Sequence, residues 1–210
     1  MTQSNGDHLE TEHKYDVEAG FVLPGLDGLP EGVTVAWPRR HHLSATYFDT
    51  DDLALSQNRI TLRRRTGGSD EGWHLKLPVR TDTRQELHAP LGDGGTEEVP
   101  TRLAAQVAHI TAGRPLRPIA ILDTERSVVT LSGTAGEPLA EIADDRVTAR
   151  RLGKTGEGSP EPLRWREIEV EAVSARPGVC DLLDAVGKVL REAGARRSSS
   201  GSKLGRLLQS

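Results

Sequence analysis

Aromatic and apolar residues are scarce in this chain. Three tryptophans, two tyrosines and two phenylalanines are its only aromatic residues, and hydrophobic residues make up 35% of its 210 positions. A chain of this length is long enough to bury a substantial core. Because so few residues are suited to an apolar core while 28% are charged, we expect part of the interior to be polar.

The sequence also lacks cysteine pairs and long apolar runs. Cys180 is the single cysteine, which excludes an internal disulfide or a cysteine-rich zinc site, and we expect it to be a small buried residue on a helix. No segment approaches the ~20 apolar residues of a membrane-spanning helix. The N-terminus has neither the basic start nor the apolar stretch of a signal peptide. We therefore expect a cytoplasmic protein with no membrane partner. Residues 1–7 are polar, and we expect them to form a disordered tail before the first strand.

The charges are balanced in sign. The formal net charge is -4, without the broad basic surface of a nucleic-acid-binding protein, so no nucleic-acid partner is expected. Acidic and basic residues are instead mixed locally. This distribution favours a compact charged site.

Charged residues occupy every second position in four strand-like segments. These are Glu10-x-Glu12-x-Lys14, Arg63-x-Arg65, Arg84-x-Glu86 and Glu167-x-Glu169-x-Glu171. Because a strand alternates its faces, each set projects from one side. Three carboxylates on one strand face repel one another unless cations compensate them. An exposed acidic face that only aids solubility is the alternative interpretation.

Apolar periodicity and turn residues predict about eight strands and two helices. The predicted strands are 9–17, 45–49, 59–65, 73–79, 84–88, 119–131, 139–148 and 165–173, and the predicted helices are 101–112 and 178–193. We expect residues 203–208 to form a last strand or an extended segment, and His41 and His42 to lie in a solvated loop. Hairpin connections without βαβ alternation favour an α+β fold dominated by an antiparallel sheet or barrel. If the sheet closes, its charged face becomes the lumen and the helices pack outside.

The charges expected on the inner face fall into two groups. The cationic group is Lys14, Arg63, Arg65, Lys76, Arg84, Arg126 and Lys203, and the anionic group is Glu10, Glu12, Asp145, Glu167, Glu169 and Glu171. Burying so many charges for stability alone is unfavourable, because desolvation costs several kcal/mol per ion. Arginines and lysines in numbers suit a chain of phosphates, and the carboxylates beside them suit Mg²⁺ or Mn²⁺. His74, beside Lys76, fits either the lumen or an ordinary sheet position.

Six motifs in order resemble one family. They are the opening Glu10-x-Glu12-x-Lys14, the run TYFDTDDLALSQNRITLRRR, the strand WHLKLP, the turn ADD, the strand WREIEVE and the terminal Ser202-Lys203. Together they resemble the CYTH domain of the triphosphate tunnel metalloenzyme superfamily, which includes inorganic and thiamine triphosphatases and class IV adenylate cyclases. The resemblance covers nearly the whole chain and indicates a single domain at residues 8–208.

The resemblance implies an eight-stranded antiparallel barrel whose tunnel binds a triphosphate against a metal-binding wall. All seven residues of the cationic group match phosphate-binding positions. The anionic group matches the metal wall, with Glu10, Glu12, Glu169 and Glu171 as its catalytic members. Glu167 fits as well as its neighbours, because the alternation is strict. The ADD turn leaves the choice between Asp144 and Asp145 open by one residue.

The expected function is metal-dependent hydrolysis of inorganic triphosphate or of a small organic triphosphate such as thiamine triphosphate. Class IV adenylate cyclases carry a His-Phe pair where this chain has Ser4 and Asn5, which argues against cyclisation of ATP. In bacteria this domain is often fused to an α-helical domain that binds polyphosphate. A non-catalytic module that binds polyphosphate or triphosphate is therefore the main alternative. The sequence does not predict an oligomeric state.

Overall fold

The computed structural model describes residues 8–92, 98–153 and 161–210, so the tail predicted at residues 1–7 lies outside it. The long strands are β1 (His8–Val17), β3 (Arg39–Asp49), β4 (Thr61–Thr66), β5 (Gly72–Arg80), β6 (Thr83–Ala89), β7 (Arg117–Ser132), β8 (Pro138–Arg151) and β9 (Leu163–Ala172). Two short strands are β2 (Thr34–Val35) and β10 (Arg196–Arg197). The helices are α1 (Ala54–Gln57), α2 (Thr101–Gln106), α3 (Ala108–Thr111), α4 (Val179–Glu192) and α5 (Lys203–Gln209).

The eight long strands form a closed antiparallel barrel. Their order is β1-β6-β5-β4-β3-β7-β8-β9, and pairing of β9 with β1 closes the ring. The short strands β2 and β10 attach to β7 and β1. The predicted fold class, an antiparallel barrel with flanking helices and a charged lumen, is confirmed. Among the described residues, no helix has the length and apolar character needed to cross a membrane.

Helices cover the outer face of the barrel with two apolar layers, because the apolar residues of the alternating strands point outward. Helix α4 packs on β1, β7, β8 and β9 through Leu183, Val186 and Leu190. On the other side, Leu55 of α1, Leu103 of α2 and Val107 between α2 and α3 form a cluster with the strand residues Leu62, Trp73 and Leu75. The inner face is thereby left to the charged residues.

Helix α5 fills one end of the barrel interior. Leu204 and Leu207 belong to a buried cluster of inward-facing strand residues. Those strand residues are Ala45, Tyr47, Ala120, Leu122, Val147 and Ala149. The interior is thus apolar at the α5 end and charged beyond it.

The expectation of a strand or an extended segment at residues 203–208 was wrong, because this segment is helix α5. The hydroxyl of Ser202 caps the helix and accepts a hydrogen bond from the Gly205 backbone N–H at 2.9 Å. Leu204, Leu207 and Leu208 lie at spacings of three and four residues, which is the helical period. The short polar run before Lys203 obscured this pattern.

Three further expectations need correction. His41 and His42 lie in strand β3 and not in a loop, because β3 extends back to Arg39 along the long partner strand β7. Cys180 is exposed on α4, since the apolar stripe of that helix passes through its neighbour Val179. The helix predicted at 101–112 divides at Val107 into α2 and α3.

Candidate functional site

A cavity of about 750 Å³ occupies the charged part of the barrel interior. Eleven of the thirteen charged residues predicted for the inner face line this cavity. They are Glu10, Glu12, Lys14, Arg63, Arg65, Lys76, Arg84, Arg126, Glu169, Glu171 and Lys203. The other two, Asp145 and Glu167, lie behind the cavity wall, where both contact Lys203.

Strand pairing brings the carboxylates together. The antiparallel register places Glu12 opposite Glu171, Lys14 opposite Glu169, and Asp145 opposite Glu167. Side chains on adjacent strands at paired positions lie close together on the same face. Three distant parts of the sequence therefore form one acidic wall.

The structure places Asp145 inside the barrel and Asp144 outside. Asp145 is completely buried, and its two oxygens accept hydrogen bonds from the Arg126 guanidinium at 2.8 and 2.6 Å. Asp144 instead accepts two hydrogen bonds from Arg166 at 2.8 and 2.7 Å. The two aspartates are adjacent on β8, so they must face opposite sides.

Lys203 lies between three carboxylates of the acidic wall. Its Nζ atom is 2.8 Å from Asp145, 2.8 Å from Glu167 and 2.7 Å from Glu169. Burial would lower the pKa of Lys203, but these three carboxylates raise it well above its ordinary value. Burial would likewise raise the pKa of Glu169, but Lys14, Lys203 and Arg126 hold it well below its ordinary value.

The carboxylates of β1 pair with lysines. Lys76 donates to both oxygens of Glu10, at 2.5 and 2.6 Å, and Lys14 donates to Glu12 at 2.9 Å and also to Glu169. Burial opposes the charged form of Lys14, but Glu12 and Glu169 raise its pKa. Each of these carboxylates therefore contacts the ammonium group of a lysine.

Glu171 is the exception in the acidic wall. Within the described ranges it forms no hydrogen bond or ion pair, although it lines the cavity. Burial together with the charges of Glu10, Glu12 and Glu169 raises the pKa of Glu171 to about 8. A partly buried carboxylate that pairs with no cation, beside further carboxylate oxygens, fits the hard oxygen donor set of Mg²⁺ or Mn²⁺. The residues present thus suit a divalent metal ion at this position.

The opposite wall carries arginines with unused donors. The Nε atoms of Arg63 and Arg65 are buried and have no hydrogen-bond partner among the described atoms. Arg63 donates from Nη1 to the Tyr47 hydroxyl at 3.4 Å, and Arg65 forms an ion pair with Asp70. Burial and the charges of Arg63 and Arg126 lower the pKa of Arg65 to about 9. Unpaired buried guanidinium donors are costly unless an anion satisfies them, so this wall is suited to bind one.

The structure adds Glu86 and His74 to the predicted site. Glu86 is buried, and its carboxylate contacts His74 Nδ1 at 2.5 Å and Lys76 Nζ at 3.4 Å. The sequence already contained a signal for Glu86, because it alternates with Arg84 in one of the four charged segments. His74 lines the cavity beside Lys76, which resolves the choice in favour of the lumen.

Tyr47 and Asp70 also line the cavity. Tyr47 lies in the apolar-aromatic strand, where nothing marks it as a tunnel residue. Asp70 belongs to the turn between β4 and β5, and only the folded hairpin carries it to Arg65. Neither residue belongs to a pattern of charged residues at every second position, so the sequence did not identify either one as a site residue.

Residues 8–207 match the family model described as the CYTH domain. The chain belongs to the CYTH domain family. The match covers nearly all of the residues predicted from the six motifs. The family predicted from the six sequence motifs is therefore confirmed.

Two curated relatives come from Mycobacterium tuberculosis. They are the uncharacterized proteins Rv2226 of strain H37Rv and MT2285 of strain CDC 1551, and each is 42% identical over 208 residues. The alignment covers 96% of this chain but only 40% of each relative. The CYTH domain therefore spans about two fifths of the length of the curated relatives that it matches.

Solved structures share the fold at low sequence identity. A putative adenylate cyclase from Bacillus halodurans has a TM-score of 0.55 at 18% identity, covering 96% of this chain and 98% of that one. The PH1819 protein from Pyrococcus horikoshii has a TM-score of 0.52 at 17% identity, covering 95% and 98%. These similarities concern the fold.

Proposed function

We propose that residues 8–208 form one catalytic domain that hydrolyses a phosphoanhydride bond of a small triphosphate, with a divalent metal ion as cofactor. The proposal depends mainly on one observation. One cavity carries buried arginine Nε atoms without hydrogen-bond partners on one wall and, on the other, a partly buried carboxylate that forms no hydrogen bond or ion pair among the described residues. An anionic chain bridging to a metal ion would satisfy both walls.

The cations have the role of binding and orienting the phosphates. Arg63 and Arg65 present planar guanidinium groups, which match phosphate oxygens in a bidentate manner. Tunnel cations placed around the transferred phosphoryl group offset the charge that develops on its oxygens. The set proposed for this role is Lys14, Arg63, Arg65, Lys76, Arg84 and Arg126.

The carboxylates facing the cavity would hold the metal ion. Glu171 supplies the unpaired oxygens, and Glu12 and Glu169 lie beside it through the β1–β9 pairing. Glu10 joins them as the remaining carboxylate of β1 in the cavity. Mg²⁺ or Mn²⁺, when bound, neutralises phosphate charge and orients the triphosphate.

The positions of the tryptophans support a compact substrate such as inorganic triphosphate. Trp37 is 92% exposed, Trp73 packs against Phe48 in the outer core, and Trp165 lies against Arg206. None of these three tryptophans lines the cavity, so none offers a stacking surface for the rings of thiamine.

A substrate panel tests the proposal. Purified protein is incubated with triphosphate, thiamine triphosphate, ATP or long-chain polyphosphate, each with Mg²⁺ or Mn²⁺. Phosphate, pyrophosphate and cyclic AMP are then measured. ATP belongs in the panel because the Bacillus halodurans neighbour is described as a putative adenylate cyclase. We expect metal-dependent phosphate release, fastest with triphosphate. Tight binding of triphosphate without release of phosphate from any substrate would instead indicate a non-catalytic binding module.

Paired variants locate the activity in the tunnel. We expect Glu169→Gln to lower kcat by about 10²–10³-fold, the scale of losing one electrostatic contact in an active site. Glu125→Gln is its control, because Glu125 is exposed on strand β7. Arg65→Ala should raise KM for triphosphate by at least about tenfold, the value of one charge-assisted hydrogen bond. Arg64→Ala, on the opposite face of β4, should leave KM unchanged. Equal effects within either pair would remove the tested residue from the site.

A further inference from the structure

Six carboxylates were expected to form one metal-binding wall, but the structure divides them. Asp145, Glu167 and Glu169 are close enough to hold a metal ion, since ligand oxygens from the three lie within 4.8 Å of one another. Glu171 lies on the other side of Glu169, opposite Glu12. The first group is therefore Asp145, Glu167 and Glu169, and the second is Glu12, Glu169 and Glu171. They share Glu169 and differ in the cations that contact them.

The ammonium group of Lys203 already lies at the centre of the first group. It contacts Asp145, Glu167 and Glu169 at 2.7–2.8 Å, and the side chain of Lys203 is 8% exposed. Arg126 adds a second cation, which donates to Asp145 at 2.6 Å and to Glu169 at 2.7 Å. These carboxylates therefore have their charge compensated by the protein's own cations.

The fold holds Lys203 in this position. Lys203 is the first residue of α5, directly after the capping hydroxyl of Ser202. Leu204 and Leu207 anchor the same helix in the apolar end of the barrel. Withdrawing the ammonium group would leave three buried carboxylates uncompensated, which is strongly unfavourable.

We propose that Lys203 takes the place of a divalent cation among Asp145, Glu167 and Glu169, and so confines the exchangeable metal ion to the Glu171 side of the acidic wall. The inference rests on the proposed function, because it assumes that a metal ion binds in the tunnel. A metal ion at the first group would have to displace an ammonium group that three carboxylates hold. A metal ion at Glu171 compensates a carboxylate that forms no hydrogen bond or ion pair among the described residues.

The test counts bound Mn²⁺ without substrate, by isothermal titration calorimetry and by electron paramagnetic resonance of free Mn²⁺. The wild-type protein should bind one ion. Glu167→Gln and Glu171→Gln form a matched pair, since both make the same change on the inner face of β9, four residues apart. Glu167→Gln should keep Mn²⁺ affinity within about twofold, and Glu171→Gln should weaken it at least tenfold.

Lys203→Gln provides the converse test. Without the ammonium group, the first carboxylate group should accept a second Mn²⁺, so the count should rise from one to two. The double variant Lys203→Gln with Glu167→Gln should lose the added ion. Circular dichroism and thermal unfolding establish that each variant is folded. If Lys203→Gln does not fold, the comparison of Glu167→Gln with Glu171→Gln still shows which carboxylate group holds the exchangeable metal ion.

The outcomes separate this inference from the proposed function. A Glu167→Gln variant that binds Mn²⁺ at least tenfold more weakly would overturn the inference, as would a folded Lys203→Gln variant that still binds one ion. A Glu171→Gln variant with unchanged Mn²⁺ affinity would instead contradict the metal site of the proposed function. Two ions in the wild-type protein would also show that Lys203 does not exclude the metal.

Discussion

At the residue scale, the neighbours of a buried charge decide its state. Glu169 and Glu171 are two positions apart on one strand face, yet their pKa values move in opposite directions. Lys14, Lys203 and Arg126 lie around Glu169, whereas around Glu171 the carboxylates of Glu10, Glu12 and Glu169, together with burial, outweigh Lys76. Identical residues in one periodic pattern can therefore differ in function, because other strands and α5 supply their partners.

The raised pKa of Glu171 predicts a pH dependence of stability in chelated buffer. Between its unfolded value of about 4.3 and its folded value of about 8, the folded state holds a proton that the unfolded state has lost. The contribution of Glu171 to stability therefore declines as pH rises through this window, by at most about 1.4 kcal/mol per pH unit. Urea unfolding of the wild type and of Glu171→Gln at pH 6.5–8 measures it. The free energy of unfolding of the variant should rise relative to that of the wild type as pH rises. If the two free energies change in parallel with pH, the raised pKa of Glu171 is contradicted.

At the element scale, the β4–β5 hairpin brings its turn to the mouth of the tunnel. Asp70 pairs with Arg65 there, and the Asp70 carbonyl oxygen lies 3.0 Å from His74 Nε2. The Glu71 carbonyl oxygen lies 3.2 Å from His88 Nε2. The turn thus supplies an anion to an arginine that the proposed function assigns to phosphate binding.

We expect Asp70→Asn to lower KM for triphosphate by about two- to fivefold. The Asp70 carboxylate competes with phosphate for Arg65, but its side chain is 59% exposed, so the pair contributes only about 0.2–1 kcal/mol. Steady-state kinetics measure the effect, and it should shrink at high salt. Ser69→Ala, in the same turn, is the control. A higher KM in Asp70→Asn would mean that Asp70 orients Arg65 for the substrate.

Helix α4 approaches β1 closely at a glycine. A Cβ atom at Gly187 would lie 2.0 Å from the Tyr15 hydroxyl oxygen. Gly187→Ala should therefore destabilise the protein by about 1–3 kcal/mol, despite the better helix propensity of alanine. In a Tyr15→Phe background the oxygen is absent, and the same substitution should cost less. Urea unfolding of the four proteins measures the difference, and equal costs in both backgrounds would exclude this clash.

At the scale of the whole molecule, closure of the barrel creates the site. The residues lining the cavity come from seven of the long strands, β1, β3 to β7 and β9, and from α5, and the first and last long strands pair to complete the ring. An open sheet would expose the same charges to water, where their interactions are much weaker. Ligand binding should therefore report on the folded barrel as a whole.

Triphosphate with Mn²⁺ should raise the melting temperature. A ligand that binds only the folded state at one hundred times its Kd stabilises by about 2.7 kcal/mol, which corresponds to roughly 5–10 °C for a domain of this size. Differential scanning fluorimetry measures the shift, with sodium sulfate at equal ionic strength as the control. Arg65→Ala should reduce the shift. An equal shift with sulfate would indicate a general salt effect.

Much of the fold and the candidate site could be predicted from the sequence, because both follow from period-two alternation. That pattern assigns the outward apolar residues that pack under the helices and the inward charged residues. It failed at α5, where a seven-residue helix is too short for a clear period, and at His41 and His42, whose strand depends on its long partner. It also missed Asp70, which comes from a turn without periodicity.

The sequence alone determined which side chains share a face, since alternation is a local property of an extended backbone. Only the tertiary structure decided which charges meet. Asp145 faces the lumen in place of Asp144 because of the β8–β9 register. Lys203 reaches three carboxylates because α5 docks inside the barrel, while Glu171 has no partner among the described residues. Charge compensation depends on distances between strands and helices far apart in sequence, and folding sets those distances.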